Sequence, residues 1–447
     1  MKDTTIAAIS TAYGEAGIGI VRLSGPDSLK IAKEITNKEL PNRKMVYTKV
    51  KDGETVLDEA LVVYMQGPHS YTGEDVVEFQ CHGGLLSTKE ILALLLRRGA
   101  VMAERGEFTK RAFLNGRMDL SQAEAVIDLI KARGSKSYNE ALSQMQGKLS
   151  AEVNSVRKKL LDLLVDLTVN MDYPDEDIEQ ITYEKIGNSL SVINDKLLNL
   201  KDSAGEGRIV REGLSVAIVG KPNVGKSSLL NAFLKEDRSI VTNVPGTTRD
   251  TIEEQAQLRG FTLRFIDTAG IHKSQDEVES IGIEKSIKAL ESADLLLVLL
   301  DASRPLEKED QEILDASKDI PRIIIINKVD LGEAKNLQFE GSKDAIPVSV
   351  STGFGLEKIE DAIEKYISGG RVRREDDLLV TNIRHANLIE KAYGEICQAQ
   401  AMTGAHEAID FIEVNVKAAF DYLGEIIGET ATDQVISEVF QRFCLGK

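Results

Sequence analysis

The stretch Gly220-Lys221-Pro222-Asn223-Val224-Gly225-Lys226-Ser227 constrains this chain more than any other. An apolar run, Leu214 to Val219, precedes it and reads as a buried strand; Ser228-Leu229-Leu230-Asn231-Ala232-Phe233-Leu234 follows with helical spacing. Strand, Gly-rich loop, Lys-Ser and helix in this order make a phosphate-binding loop. The glycines let the backbone wrap a phosphate chain with successive N–H groups pointing inward, at the positive end of a helix. Lys226 is expected to reach the β- and γ-phosphates, and the Ser227 hydroxyl to ligate Mg²⁺. An ordinary Gly-rich turn between strand and helix would not need the full spacing.

The downstream sequence selects the nucleotide. A second strand, Leu263 to Ile266, ends in Asp267-Thr268-Ala269-Gly270, where Asp267 can hold the magnesium shell and the Gly270 N–H can bond a γ-phosphate. Further on, Ile323 to Ile326 runs into Asn327-Lys328-Val329-Asp330. Asp330 can accept from the N1–H and exocyclic amine of guanine, a donor pair that adenine lacks. Together, on three successive strands, these motifs imply a GTPase. Between the first two lies Val244-Pro245-Gly246-Thr247-Thr248-Arg249-Asp250, with Thr248 as the expected switch threonine sensing Mg²⁺ and the γ-phosphate. Ile271 stands where Ras-type enzymes carry a water-orienting glutamine, so hydrolysis needs another water-positioning group and another source of positive charge.

At 447 residues the chain has room for two to four domains. Its formal charge is −17, yet residues 1–118 carry 16 basic and 15 acidic side chains, so the acidity lies beyond them. An acidic chain binds nucleic acid poorly without a local surface for it, and an RNA partner is expected to meet such a surface. Cys81, Cys397 and Cys444 have neither metal-ligand spacing nor the number for a disulfide framework, which suits a reducing cytoplasm. The apolar run Leu295 to Leu300 is bounded by Asp294 and Asp301 and is far too short to span a membrane. Glu15 close before the first apolar segment argues against a signal peptide. A soluble, cytoplasmic protein without a membrane partner is expected.

Residues 1–118 mix short strands and helices. Ala16 to Gly25 reads as a turn entering a buried strand, Leu57 to Tyr64 and Val76 to Phe79 as further strands, and Leu85 to Leu96 as a helix. From Asp119 helical stripes take over: Leu120, Ala123, Val126, Ile127 and Ile130, then Leu149, Val153, Val156, Leu160, Leu163, Leu164 and Leu167, then Leu190 to Leu200. Ala204-Gly205-Glu206-Gly207 reads as a hinge into the GTPase domain. That domain closes with a last strand, Ile346 to Val350, and the helix Leu356 to Ile367. A linker, Gly369 to Arg374, leads to helical spacing from Leu378 to Phe443. The expected architecture is multidomain. It has an α+β N-terminal domain (1–118) and an α-helical domain in two parts (119–210 and 373–447). Between those parts is an inserted Ras-like α/β P-loop GTPase domain (211–372).

The chain resembles the MnmE (TrmE) family of tRNA modification GTPases over essentially its full length. The resemblance rests on Ile18-Gly19-Ile20-Val21-Arg22-Leu23-Ser24-Gly25, Tyr71-Thr72-Gly73-Glu74-Asp75, His82-Gly83-Gly84, Gly106-Glu107-Phe108-Thr109, Arg111-Ala112-Phe113-Leu114-Asn115-Gly116, the GTPase motifs, and the terminal Cys444-Leu445-Gly446-Lys447. It implies a folate-binding N-terminal domain and a homodimer. It also implies an FAD-containing partner protein in a heterotetramer, and tRNA as substrate, with an aminomethyl-type or carboxymethylaminomethyl group placed on carbon 5 of the wobble uridine.

The resemblance also implies roles for individual residues. K⁺-dependent dimerisation of GTPase domains would activate hydrolysis, with K⁺ at Asn223, Thr242, Val244 and Thr247, and with Glu279 orienting the attacking water. The implied GTP site comprises Asn223, Val224, Gly225, Lys226, Ser227, Ser228, Thr242, Asn243, Val244, Pro245, Gly246, Thr247, Thr248, Asp267, Thr268, Ala269, Gly270, Asn327, Lys328, Asp330 and Ser349. A reduced folate, 5-formyl- or methylene-tetrahydrofolate, would meet Arg22, Glu78, Arg117 and Lys447. Cys444 matches the family's terminal cysteine, with catalysis and burial both open. Two other classes compete: a ribosome-assembly or signalling GTPase switch, and a scaffold with a degenerate site. No basic Gly-x-x-Gly loop follows residue 370, which weighs against the RNA-binding module of such switches, and intact Lys226, Ser227, Thr248, Asp267 and Asp330 weigh against the scaffold.

Overall fold

Alternating burial shapes the first sheet. It is built from β1 (Ile6–Ile9), β2 (Ala16–Ser24), β3 (Met45–Asp52), β4 (Thr55–Met65), β5 (Val76–Gly83) and β6 (Val101–Met102), in the order β3-β4-β5-β2-β1-β6. Val21, Leu23, Val77 and Phe79 are fully buried on one face, in a core completed by Ile31 and Ile35 of α1 (Ser28–Thr36) and Ile91, Leu94 and Leu95 of α2 (Leu85–Arg97). Because side chains alternate along a strand, the intervening Arg22 and Glu78 occupy the opposite face, where they sit directly across from each other. That face has its own small apolar cluster of Ile6, Ala8, Ala103 and Phe108, with Tyr71 against it. Phe108 comes from α3 (Glu107–Leu114).

The computed structural model describes residues 4–172, 182–236, 254–266, 293–332, 339–370 and 378–447. The chain divides into two compact units, one of Met1–Ile130, Ser143–Ile193 and Gly394–Lys447, the other of Lys131–Leu142 and Asn194–Tyr393. The helices α4 (Leu120–Lys131), α5 (Ser135–Met145), α6 (Lys148–Asp172) and α7 (Tyr183–Glu212) follow the first sheet. In α6 the stripe Leu149, Val153, Val156, Leu160, Leu163 and Leu167 is buried throughout, as its helical spacing requires.

The second unit holds a sheet of order β12-β11-β10-β7-β9-β8. Its strands are β7 (Leu214–Val219), β8 (Glu254–Leu258), β9 (Phe261–Phe265), β10 (Leu295–Asp301), β11 (Arg322–Asn327) and β12 (Ile346–Pro347). All neighbours are parallel except β8 with β9. Every residue of β7 and β10 is buried, the pattern of parallel strands covered on both faces. The covering elements include α8 (Lys226–Glu236), α9 (Lys308–Ala316) and α10 (Leu356–Ile367). Parallel pairing of β7, β10 and β11 brings their C-terminal ends to one edge, where doubly covered sheets bind ligands. The chain then returns to helices: α11 (Ile383–Gly404), α12 (Ile409–Ile427) and α13 (Asp433–Gln441).

Three local expectations need correction. No hinge interrupts Ala204-Gly205-Glu206-Gly207, because α7 continues through it to Glu212. Gly207 serves close packing instead: a Cβ there would lie 2.2 Å from the Val380 carbonyl oxygen, and the neighbouring Ser203 hydroxyl accepts the Val380 N–H at 3.0 Å. The last strand is shorter than Ile346 to Val350, pairing only over Ile346–Pro347, since Ser349 turns to bond Phe354. Helix starts at Ile383 rather than Leu378 and is broken between α11 and α12, and again after Ile427, where Gly428 adopts φ +90°.

Candidate functional site

The phosphate-binding loop links β7 to α8. Asn223 (φ +63°) and Gly225 (φ +107°) both take left-handed backbone, and a Cβ on Gly225 would come within 2.2 Å of the Asn327 side-chain nitrogen. That close approach is used: Asn327 donates to the Val224 carbonyl oxygen at 2.8 Å and accepts from the Val350 N–H at 3.1 Å. Asn327 is buried, and its amide ties the two loops together. Lys226 folds back over the loop, its ammonium donating to the carbonyl oxygens of Gly220 (2.7 Å) and Lys221 (2.8 Å). Burial pushes the Lys226 ammonium below the ordinary lysine range, and among the described residues it forms no ion pair. A desolvated cation of this kind suits an incoming polyphosphate, which would supply the missing countercharge. Ser227 and Ser228 lie in the first turn of α8, at its positive end.

The residues expected to read the base lie in the loops after β11 and β12. Asp330 is exposed, and its carboxyl is held below the usual range first by the Ser349 hydroxyl and then by its own backbone N–H. Ser349 is buried, with its hydroxyl 3.0 Å from that of Ser351. Val350 stands where many GTPases have alanine, and it engages Asn327 through its backbone alone. Lys328 (φ +64°) directs its ammonium onto Asp301 at 2.7 Å. Thus Asn223, Val224, Gly225, Lys226, Ser227, Ser228, Asn327, Lys328, Asp330 and Ser349 share the loops at the C-terminal ends of β7, β11 and β12. Thr242, Asn243, Val244, Pro245, Gly246, Thr247, Thr248, Asp267, Thr268, Ala269, Gly270 and Glu279 lie outside the described residues.

A second cluster lies in the N-terminal unit. Arg22 donates to Glu78 at 2.8 Å, with both side chains mostly buried. The guanidinium sits over two rings, 5.2 Å from the centre of Tyr71 and 5.5 Å from that of Phe108, a placement favoured by cation–π attraction. Arg117 lies over Tyr71 as well, at 5.0 Å, and donates to the Tyr71 carbonyl oxygen. The C-terminus joins this group. Leu445 bridges Arg105, and the Ser10 hydroxyl donates to the Gly446 carbonyl at 3.0 Å. Lys447 is therefore half-buried, and its ammonium is lowered first by that burial and next by the nearby Arg22 charge, against smaller opposing effects of Cys444 and Glu78. Three cations with one carboxylate and two rings fit a flat ligand bearing carboxylates and ring N–H donors. Cys444 itself is exposed, so burial does not account for it.

Sequence reasoning assigned no task to Tyr71, Phe108 or Asp301. Tyr71 and Phe108 sit inside quoted motifs, but a lone aromatic reads equally as core. For Asp301 a signal existed: an acidic residue directly ending the all-apolar run Leu295 to Leu300.

The fold and loops of the second unit define a P-loop GTPase. A family model described as the MnmE helical domain matches residues 120–444, and one described as GTP-binding protein TrmE N-terminus matches residues 5–117. The chain is 46% identical to the tRNA modification GTPase MnmE of Clostridioides difficile (strain 630), covering 100% of this chain and 99% of that protein. It is 48% identical to the tRNA modification GTPase MnmE of Alkaliphilus oremlandii (strain OhILAs), with the same coverage. This chain belongs to the MnmE/TrmE family of tRNA modification GTPases.

Proposed function

We propose that this protein hydrolyses GTP to drive a tRNA modification. With an FAD-containing partner, in a heterotetramer around its own homodimer, it places an aminomethyl-type or carboxymethylaminomethyl group on carbon 5 of the wobble uridine. The observation that supports GTP most directly is the Asn327 bridge, which joins the phosphate loop to the Ser349-Val350 loop beside Asp330. In this reading Lys226 gathers charge developing on the β- and γ-phosphates, and Ser227 with Thr248 holds Mg²⁺. Asp267 would hold the magnesium shell and the Gly270 N–H would bond the γ-phosphate, while Asp330 would accept from the guanine edge. Glu279 orients water, the task that Ile271 cannot perform. Among the described residues no helix is long and apolar enough to cross a membrane.

K⁺ at Asn223, Thr242, Val244 and Thr247 would supply the charge that an arginine finger brings elsewhere. Asn223, at φ +63°, lies in the loop between β7 and α8. Turnover is expected to be faster in K⁺ than in Na⁺ by at least about 10-fold at matched ionic strength, and Asn223→Ala should erase the difference. Steady-state phosphate release in the two salts checks this, and equal rates would discard the cation as the charge source.

The N-terminal cluster is assigned to a reduced folate, 5-formyl- or methylene-tetrahydrofolate. Arg22, Arg117 and Lys447 would meet its glutamate carboxylates, and Glu78 would accept from the pterin amine and ring N–H. Deleting Leu445 to Lys447 removes one cation of the group while leaving the phosphate loop, in the other unit, untouched. Calorimetric titration of that truncation is expected to show folate affinity weakened by at least about 10-fold, with GDP affinity unchanged. Unchanged folate affinity would exclude the C-terminus from the site.

A further inference from the structure

Asp301 ends β10, which lies between β7, the strand leading into the phosphate loop, and β11, the strand ending at Asn327. Its register partner is Asn327 itself, and the Ala302 N–H bonds the Asn327 carbonyl at 2.8 Å. The Asp301 side chain is 5% exposed, and a carboxylate so buried needs partners for both oxygens. One oxygen accepts from the Ser303 N–H at 3.0 Å and the Ser303 hydroxyl at 2.6 Å; the other accepts from the Lys328 ammonium at 2.7 Å. Arg304 stands farther off, at 3.9 Å. Ser303 therefore fixes the carboxyl plane, and the second oxygen is aimed at Lys328. Lys328 is itself held at φ +64°, a conformation that restricts where its side chain can leave the backbone.

We propose that Asp301 is a positioning residue of the guanine site, holding the Lys328 ammonium so that the lysine's four-carbon stem lies ready beside Asp330 as an apolar strip for one face of the base. This rests on the guanine-nucleotide reading above. A lysine stem left free would lose rotamer freedom when a base packs on it, and the Asp301 pair removes that cost before the ligand arrives. The base makes the same contacts before and during phosphate cleavage, so the effect belongs to binding and not to the chemical step.

The test is titration of the full chain with GDP, together with GTP turnover, for wild type, Asp301→Asn, Lys328→Met and the double variant. Asp301→Asn keeps an acceptor for Ser303 but loses the charge facing Lys328. It is expected to raise the GDP Kd and the KM for GTP together by about 10-fold, with kcat within about twofold. In the Lys328→Met background the same substitution should add nothing further. Ser303→Ala, at an exposed position, is the second variant, expected to raise Kd about threefold by loosening the carboxyl and to lose that effect when Lys328 is methionine. An unchanged Kd in Asp301→Asn, or an equal effect with and without Lys328, would overturn the proposal while leaving GTP binding intact. A wild-type protein with no affinity for GDP would overturn the nucleotide reading and this proposal with it.

Discussion

Replacing Arg111 by methionine is expected to destabilise the N-terminal unit by about 3–5 kcal/mol. Arg111 is 2% exposed and holds two carboxylates at once. One of its terminal nitrogens donates to Glu74 at 3.1 Å and to the Thr4 carbonyl at 2.8 Å, and the other donates to Glu107 at 2.8 Å and to the Thr4 hydroxyl at 3.1 Å. Glu74 is bound in turn by the Ser24 hydroxyl at 2.9 Å, which also pairs with Thr72. Methionine approximates the volume but leaves Glu74 and Glu107 charged, largely shielded from water and without a cation, which costs more than the ion pairs contribute. Lysine keeps the charge without the fork and should fall between the two. Converting Arg111 to Met with both glutamates to Leu should recover much of the loss. Urea unfolding of these variants, followed by a probe in the N-terminal unit, gives the ordering. A loss below about 1 kcal/mol in the single variant would mean that the network does not clamp the N-terminal unit.

This network also explains what two quoted motifs are for. Tyr71 to Asp75 and Arg111 to Gly116 meet at Arg111–Glu74 and at Asn115, whose side-chain amide donates to the Thr72 carbonyl at 2.8 Å. None of this is legible from spacing, because Glu74 and Arg111 are far apart in the chain and each alone reads as a solvated charge. The second unit was easier. Its central strands β7, β10 and β11 are buried on both faces and therefore appear as unbroken apolar runs, and the loop motifs sit directly at their ends. By contrast β1, with four residues, is too short to stand out from a helix turn, and β3 mixes exposed Met45 and Tyr47 with buried Thr48 and Val50. The mistaken hinge had a different origin. Glycine marks either bending or close approach, and only the position of Val380 against Gly207 distinguishes them. In the N-terminal cluster the resemblance supplied Arg22, Glu78, Arg117 and Lys447. The rings of Tyr71 and Phe108 that hold Arg22 in place became visible only once the chain was folded.

Asp330→Asn should weaken GTP binding and turn the preference toward xanthosine triphosphate. Asp330 is held ionised by the Ser349 hydroxyl and its own backbone N–H, and so can accept two donors from guanine. An asparagine there can accept from the N1–H and donate to the 2-oxo group of xanthine, whereas it leaves the guanine amine without a partner. The remaining scaffold should stay intact, because Asn327, and not Asp330, bridges the phosphate loop. Competition between GTP and xanthosine triphosphate in a turnover assay reads the switch directly. Retained preference for GTP would remove Asp330 from base recognition.

The same variant provides the most direct measurement of the central claim, that a GTP cycle in this protein drives wobble-uridine modification. Cells lacking the native copy would be supplied with either wild type or Asp330→Asn, and their tRNA nucleosides digested and analysed by mass spectrometry. Wild type is expected to restore the aminomethyl-type or carboxymethylaminomethyl group at carbon 5 of the wobble uridine, and the variant to leave that uridine without it. Full modification in cells with no copy at all, or in cells carrying only a variant that no longer turns over GTP, would contradict the account.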